Sequence, residues 1–302
     1  MNYGEIVSTA FTRAWQHKSL WLLGFLTMGV STFNVGDRAG DWEEIGDFVL
    51  RHPLLILSIA AFVLILLLVF FILRIIAEGA LIDAAARLHR SEPYRLGQSW
   101  QTGMARFWSM LGAAILFLIM ILALVLVLVI IGVVAFVIAL AIGLLSLLLL
   151  IPIFLAGLYV WTITYMLTQR MIVLERRPVM DSIGESFSWL SRTPGTTIII
   201  FLIYLGIIIA AAIFAVLTLL VVSLPFIALG LFNFWLALLL GVPTGLLVLY
   251  LINGYLGSAI SLMMTGFYFR LQQHLYPEVA PAVPSSEPGP SAPDISIPPT
   301  TV

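Results

Sequence analysis

Cysteine is absent from the chain, which excludes disulfides, thiolate metal sites and cysteine nucleophiles. Charge is nearly as scarce: 10% of the residues are charged, against about 25% in an average soluble protein. Residues 107–169 and 193–269 contain no charged side chain. A run of about 18 apolar residues already marks a candidate membrane span, and these two runs are several times that length. With 62% hydrophobic residues, the composition points to an all-α membrane protein. The motifs G-x-x-x-x-G-K-[ST], H-E-x-x-H and G-x-S-x-G are also missing, so ATPase, zincin and hydrolase chemistry have no local support.

At about 20 residues per crossing, the hydrophobic pattern predicts six transmembrane helices, near residues 19–33, 53–76, 108–133, 135–167, 196–222 and 235–269. The first is short and requires a helix continuing from the preceding segment. Arg13 and Lys18 precede it in the manner of a signal peptide, but no A-x-A cleavage site follows, so it is expected to be retained. Asn233, among Phe232, Phe234 and Trp235, reads as an aromatic interfacial turn between the last two spans. Of the 14 Lys and Arg residues, this topology puts only Arg38 and Arg51 outside. The bias places both termini in the cytoplasm. The outer loop, residues 34–52, carries Asp37, Asp41, Glu43, Glu44 and Asp47 and reads as a solvated acidic face.

The pattern also repeats. Gly4-Glu5, Gly97-Gln98 and Gly184-Glu185 open three similar segments, and Pro93, Pro178 and Pro277 close them. The units are residues 1–93, 94–178 and 179–277, each a cytoplasmic amphipathic interfacial helix followed by two spans. Val7, Ala10, Phe11, Ala14 and Trp15 form one helical stripe, and Trp100, Gly103, Met104, Phe107 and Trp108 form the next, both stepping i, i+3, i+4, i+7, i+8. Ser191, Pro194 and Gly195 interrupt the third copy, so its helix should end earlier. Asn2 with Glu5, and Ser182 with Glu185, have the spacing of capping boxes. Two-span units share one orientation, related by an axis along the membrane normal, an arrangement that lowers the case for an inverted-repeat transporter.

On such helices Arg13, Arg106 and Arg192 would face lipid headgroups while the aromatic rings face acyl chains; the alternative is that these helices only anchor the bundle. Arg74 with Glu78 and Asp83 with Arg87 are i, i+4 pairs, read as surface pairing. His17, His52, His89 and His274 lack metal-ligand spacing, and no metal or cofactor is expected. Gly241-Val242-Pro243-Thr244-Gly245 suggests either a kink with close packing or a broken helix beside a cavity. In the second case Pro243, Thr244, Tyr250 and Asn253 would form a midplane polar site. Pro152 and Pro225 carry the same ambiguity. Residues 278–302 are rich in proline and are expected to form a disordered cytoplasmic tail.

The segment Ala14-Trp15-Gln16-His17-Lys18-Ser19-Leu20-Trp21-Leu22-Leu23-Gly24-Phe25, the later Gly103-Met104-Ala105-Arg106-Phe107-Trp108 and the six-span layout resemble bacterial integral membrane proteins of the glycerophosphoryl diester phosphodiesterase membrane-domain group. The resemblance spans residues 1–277 and implies the membrane part of that group without its phosphodiesterase activity; it transfers no functional residue. The expected role is a non-enzymatic scaffold or accessory protein whose partners are membrane lipids or a second membrane protein, and not nucleic acid. The alternative is a permease or lipid-transport component with its site near Pro243.

Overall fold

A computed structural model describes residues 2–28, 52–138 and 140–277. Among these residues there are eight helices and no strand: α1 (Tyr3–Gln16), α2 (Leu20–Met28), α3 (Pro53–His89), α4 (Leu96–Ile138), α5 (Leu140–Leu174), α6 (Val179–Arg192), α7 (Pro194–Phe232) and α8 (Phe234–Leu275). The acidic segment with Arg38 and Arg51, and the proline-rich tail, lie outside the described residues.

Five helices, α3, α4, α5, α7 and α8, are long and apolar enough to cross a membrane. They run 37, 43, 35, 39 and 42 residues. At about 1.5 Å per residue each reaches roughly 50–65 Å, well beyond a hydrocarbon core of about 30 Å. The expected sixth span is represented by α2, described over nine residues. Its helix does not continue from α1: the chain breaks at His17, Lys18 and Ser19. Tyr94 holds that corner, its ring edge against His17 at 5.4 Å and its hydroxyl bonded to that of Ser19.

Local chemistry explains the ends. Pro194 opens α7 directly after Thr193, where proline disfavours a helical preceding residue, so α6 stops at Arg192, earlier than α1 in the alignment of the copies, as expected. The second copy has Phe107 at the place of Pro194, and α4 runs through without a break. Asn233 separates α7 from α8, and its Oδ1 accepts from the Leu236 amide at 3.1 Å, a side-chain N-cap. The two expected capping boxes do not form. Asn2 makes no side-chain cap bond, and Pro178, with φ −58° and ψ 153°, is the N-cap of α6, four residues before Ser182. Ser182 therefore lies inside the helix, where its hydroxyl donates to the Pro178 carbonyl at 2.9 Å.

The buried core is confined to the charge-bearing ends of the long helices. It draws on Ala77, Ala80 and Leu81 of α3, Leu167 and Met171 of α5 and Leu262, Met263 and Phe267 of α8, with Ala10 and Ala14 of α1, Leu20 and Leu23 of α2 and Trp189 of α6. Helix α2 packs between α3 and α8, while α4 lies against α3 and α5, and α6 against α5. Lipid tails supply no hydrophobic force between helices, so close crossings need small residues. Gly24 of α2 meets Gly254, Gly257 and Ser258 of α8, and Gly79 of α3 meets Gly103 of α4, at distances that leave no room for a side chain. Away from this end the side chains are apolar and exposed, and residues 57–71 of α3 are exposed all round the helix.

Candidate functional site

Two linked groups of polar side chains occupy the packed end. The first sits where α3 meets α5. Glu78, half-buried, is hydrogen-bonded to Gln169 and lies within the field of both Arg74 and Arg170. Glu78 thus faces the bundle and reaches another helix, which corrects the surface reading of the Arg74–Glu78 pair. The neighbouring pair does form within α3: Arg87 Nε lies 2.9 Å from Asp83 Oδ2, which also accepts from the Ser99 hydroxyl at 2.8 Å.

The second group ties α6 to the ends of α5 and α8. Glu175 Oε1 accepts from the Tyr268 hydroxyl, and from Gln272 Nε2 at 3.2 Å. Its other oxygen lies 2.6 Å from Arg177 Nε, and Arg177 Nη1 lies 3.7 Å from Glu185 Oε2. Glu185 Oε1 accepts from Trp189 Nε1 at 2.8 Å and from the Tyr276 hydroxyl at 2.7 Å. The Trp189 ring is stacked on Tyr268 at 5.4 Å and 22°. Tyr268 and Gln272 of α8 and its C-cap Tyr276 fall at i, i+4 and i+8, one polar stripe along a single helix face. That stripe was readable in the sequence. Glu185, assigned by spacing to a cap, instead bonds across helices.

The hydrogen bond from Tyr276, then those from Trp189 and the charges of Arg177 and Arg192, hold the Glu185 carboxyl below the usual glutamate range. A carboxyl lowered in the folded state stabilises that state above its ordinary value, and the contribution is lost as the pH falls through the folded value. Acidification below pH 4.5, the ordinary value for this group, is therefore expected to loosen α6 from α8. Tryptophan fluorescence should report that step in the native chain and not in Glu185→Gln; identical acid profiles would dismiss it.

The three arginines expected to face headgroups, Arg13, Arg106 and Arg192, have different surroundings. Arg13 Nη1 donates to the Leu88 carbonyl at 2.7 Å, capping the C-terminal end of α3, where a cation is favoured. Arg106 is half-buried on α4, and Arg192 is exposed at the end of α6. The aromatic stripe of α1 is mostly used within the protein: Ala10 and Ala14 are buried, and Phe11 sits edge-on to Tyr255 at 5.9 Å. The expectation that these rings face acyl chains is corrected for Phe11, which α8 covers, while Trp15 stays 59% exposed. On α4 Gly103 faces α3, while Trp108 is 79% exposed.

The residues proposed for a midplane site have separate surroundings. Helix α8 continues through Pro243, so the broken-helix expectation is corrected; a proline is tolerated inside an apolar helix when other groups meet the freed backbone. Pro243 is exposed, the Thr244 hydroxyl donates to its own helix at Leu240 at 2.7 Å, and Tyr250 packs on Phe25 at 4.9 Å. Asn253 is half-buried on α8. The glycines flanking Pro243 do border a groove: Gly241 and Gly245, with Leu219, Phe226 and Phe234, line a space of about 290 Å³ between α7 and α8. Pro152 and Pro225 also lie within continuous helices. Among the described residues no group of three or more His, Asp or Glu side chains is placed to hold a metal ion.

No family model, curated protein or solved structure matches the chain.

Proposed function

We propose that the chain is a non-enzymatic protein of the bacterial cytoplasmic membrane that binds lipid or another membrane protein as a scaffold or accessory subunit. The observation that carries this reading is the division of the molecule into a packed, polar end and long helices whose apolar side chains are exposed. The bare stretch of α3, residues 57–71, is a surface on which lipid or a second membrane protein would lie. Both termini are assigned to the cytoplasm by the distribution of Lys and Arg. The resemblance to the membrane part of the glycerophosphoryl diester phosphodiesterase membrane-domain group agrees with this placement.

Three tandem two-span units are part of the reading. Support comes from backbone stops shared by the first two: Ser91 and Arg176 both adopt positive φ, 57° and 58°, and each stands two residues before the unit's closing proline, Pro93 or Pro178. Left-handed non-glycine residues are uncommon, so their occurrence at matching positions supports duplication over chance similarity.

Because Arg13 caps α3, the test of headgroup binding uses Arg106→Gln and Arg192→Gln together. A basic residue near an anionic surface contributes about 1 kcal/mol, roughly five-fold in affinity. In nanodiscs the double variant is expected to retain several-fold less anionic lipid, read by native mass spectrometry; unchanged retention and unchanged partner recovery would sink the interfacial role. A second reading, a permease or lipid-transport component, rests on the groove beside Gly241 and Gly245. It is favoured if the retained lipid is selective and is displaced when the groove is filled.

A further inference from the structure

Residues 54–73 of α3 carry no charge and, at about 1.5 Å per residue, extend about 30 Å, the thickness of a bilayer's hydrocarbon core. Arg74 follows directly, at the level where the headgroups begin. It is exposed, whereas Ile75, Ile76 and Ala77 after it are buried. Among the described residues the Arg74 guanidinium makes no side-chain hydrogen bond or direct ion pair; it acts on Glu78 through its field.

The charges around Arg74 do not cancel. Glu78, one turn further along α3, lies in the field of both Arg74 and Arg170. Arg170 is 4% exposed, and Glu78 is the carboxylate that acts on it. Two arginines thus share one carboxylate, and of the two Arg74 is the one that lipid can reach. A cation so placed is drawn to an anionic membrane surface. Tyr165 of α5 lies in the field of Arg74. Its ring is stacked on Trp161 at 5.6 Å and 13°, and Trp161 Nε1 donates to the Phe117 carbonyl of α4 at 2.9 Å. Both rings are half-buried, and Trp and Tyr settle at headgroup level, so α5 reaches the interface beside Arg74.

We propose that Arg74 holds the phosphate of an anionic lipid whose acyl chains lie along the bare stretch of α3, residues 57–71. The site rests on the lipid-binding reading proposed for the chain and adds Arg74 to Arg106 and Arg192. A guanidinium matches the paired oxygens of a phosphate, and Glu78 sets the strength of the contact, because its carboxylate opposes an anion held one turn away.

The full chain is placed in phosphatidylcholine nanodiscs that hold a minor fraction of phosphatidylglycerol, and the lipids retained on release are counted by native mass spectrometry. The native chain is expected to keep phosphatidylglycerol in preference. Arg74→Gln should weaken that retention about five-fold, the loss expected for one arginine at an anionic surface, and Glu78→Gln should strengthen it several-fold; gel filtration verifies that both variants are folded. If Arg74 serves only to balance Glu78 within the bundle, the two variants change retention in the same direction, and that result would overturn the site. Unchanged retention in Arg74→Gln, with the native chain still keeping the lipid, would overturn it too and leave the wider lipid-binding reading standing. No preference for phosphatidylglycerol in the native chain would remove both. Displacement of the lipid by inorganic phosphate would make the ligand a free anion and overturn the lipid assignment.

Discussion

Valine at Gly103 or at Gly24 is expected to unfold the packed end of the bundle under conditions in which valine at Gly206 is harmless. A Cβ on Gly103 would lie 2.2 Å from the Ile76 carbonyl oxygen, and one on Gly24 would lie 2.2 Å from the Gly254 carbonyl oxygen. Both obstacles are backbone on a neighbouring helix, so no rotamer change relieves them and the helices must separate. Separation forfeits the dispersion contacts that hold membrane helices together. Overpacking of this kind costs about 1–3 kcal/mol per site, and the two crossings share α3 and α2 as neighbours, so the double variant should exceed either single one. Gly206 of α7 has nothing within 4 Å of where its Cβ would stand, and valine there is neutral or slightly favourable to the helix. The check is the thermal midpoint of the three variants in detergent, followed by gel filtration. Equal midpoints at Gly103 and Gly206 would mean that α3 and α4 do not cross as described.

The difference between Gly24 and Gly206 was not legible in the sequence, where both sit in apolar runs, whereas Gly103 fell on the predicted stripe of an amphipathic helix. Periodicity does not say which face of an apolar helix meets a neighbour, because lipid and protein accept the same side chains. For that reason the long helices were readable as apolar runs, and their ends at Pro93, Pro178, Asn233 and Pro194 as local backbone chemistry. Their excess length was not, since the charge-bearing ends of α3, α5 and α8 continue as helix past the predicted spans. Glu78 and Arg170 were visible as charges bordering charge-free runs. Their joint burial depends on α3 meeting α5, a contact far apart in sequence. Arg13 and Phe11 show the same limit: the amphipathic face of α1 was evident, but its partner was taken to be lipid when Ala10, Phe11 and Ala14 rest on the packed core.

Trp189 gives the sharpest contrast with the exposed aromatics. It is 1% exposed, stacked on Tyr268, tilted against Tyr276 at 6.2 Å, and bonded through Nε1 to Glu185. Trp189→Ala removes the side chain that joins α6 to α8 and leaves a cavity that the surrounding helices fill only in part, a change that costs about 3–5 kcal/mol in a buried site. Trp108→Ala, at a position 79% exposed, should change stability by about 0.5 kcal/mol or less. Trp189→Phe separates the contributions: it restores most of the packing but not the Nε1 donor, so Glu185 keeps Tyr276 and loses one of its two hydrogen bonds. The phenylalanine variant should therefore fall between the native chain and the alanine variant at neutral pH. In acid, where protonation of Glu185 already weakens that bond, it should approach the native chain. Denaturant unfolding of the three proteins at both pH values tests this. If Trp189→Ala proves as mild as Trp108→Ala, then α6 is not docked on α8, and the polar bridge from Glu175 to Glu185 cannot be what holds the amphipathic helix to the bundle.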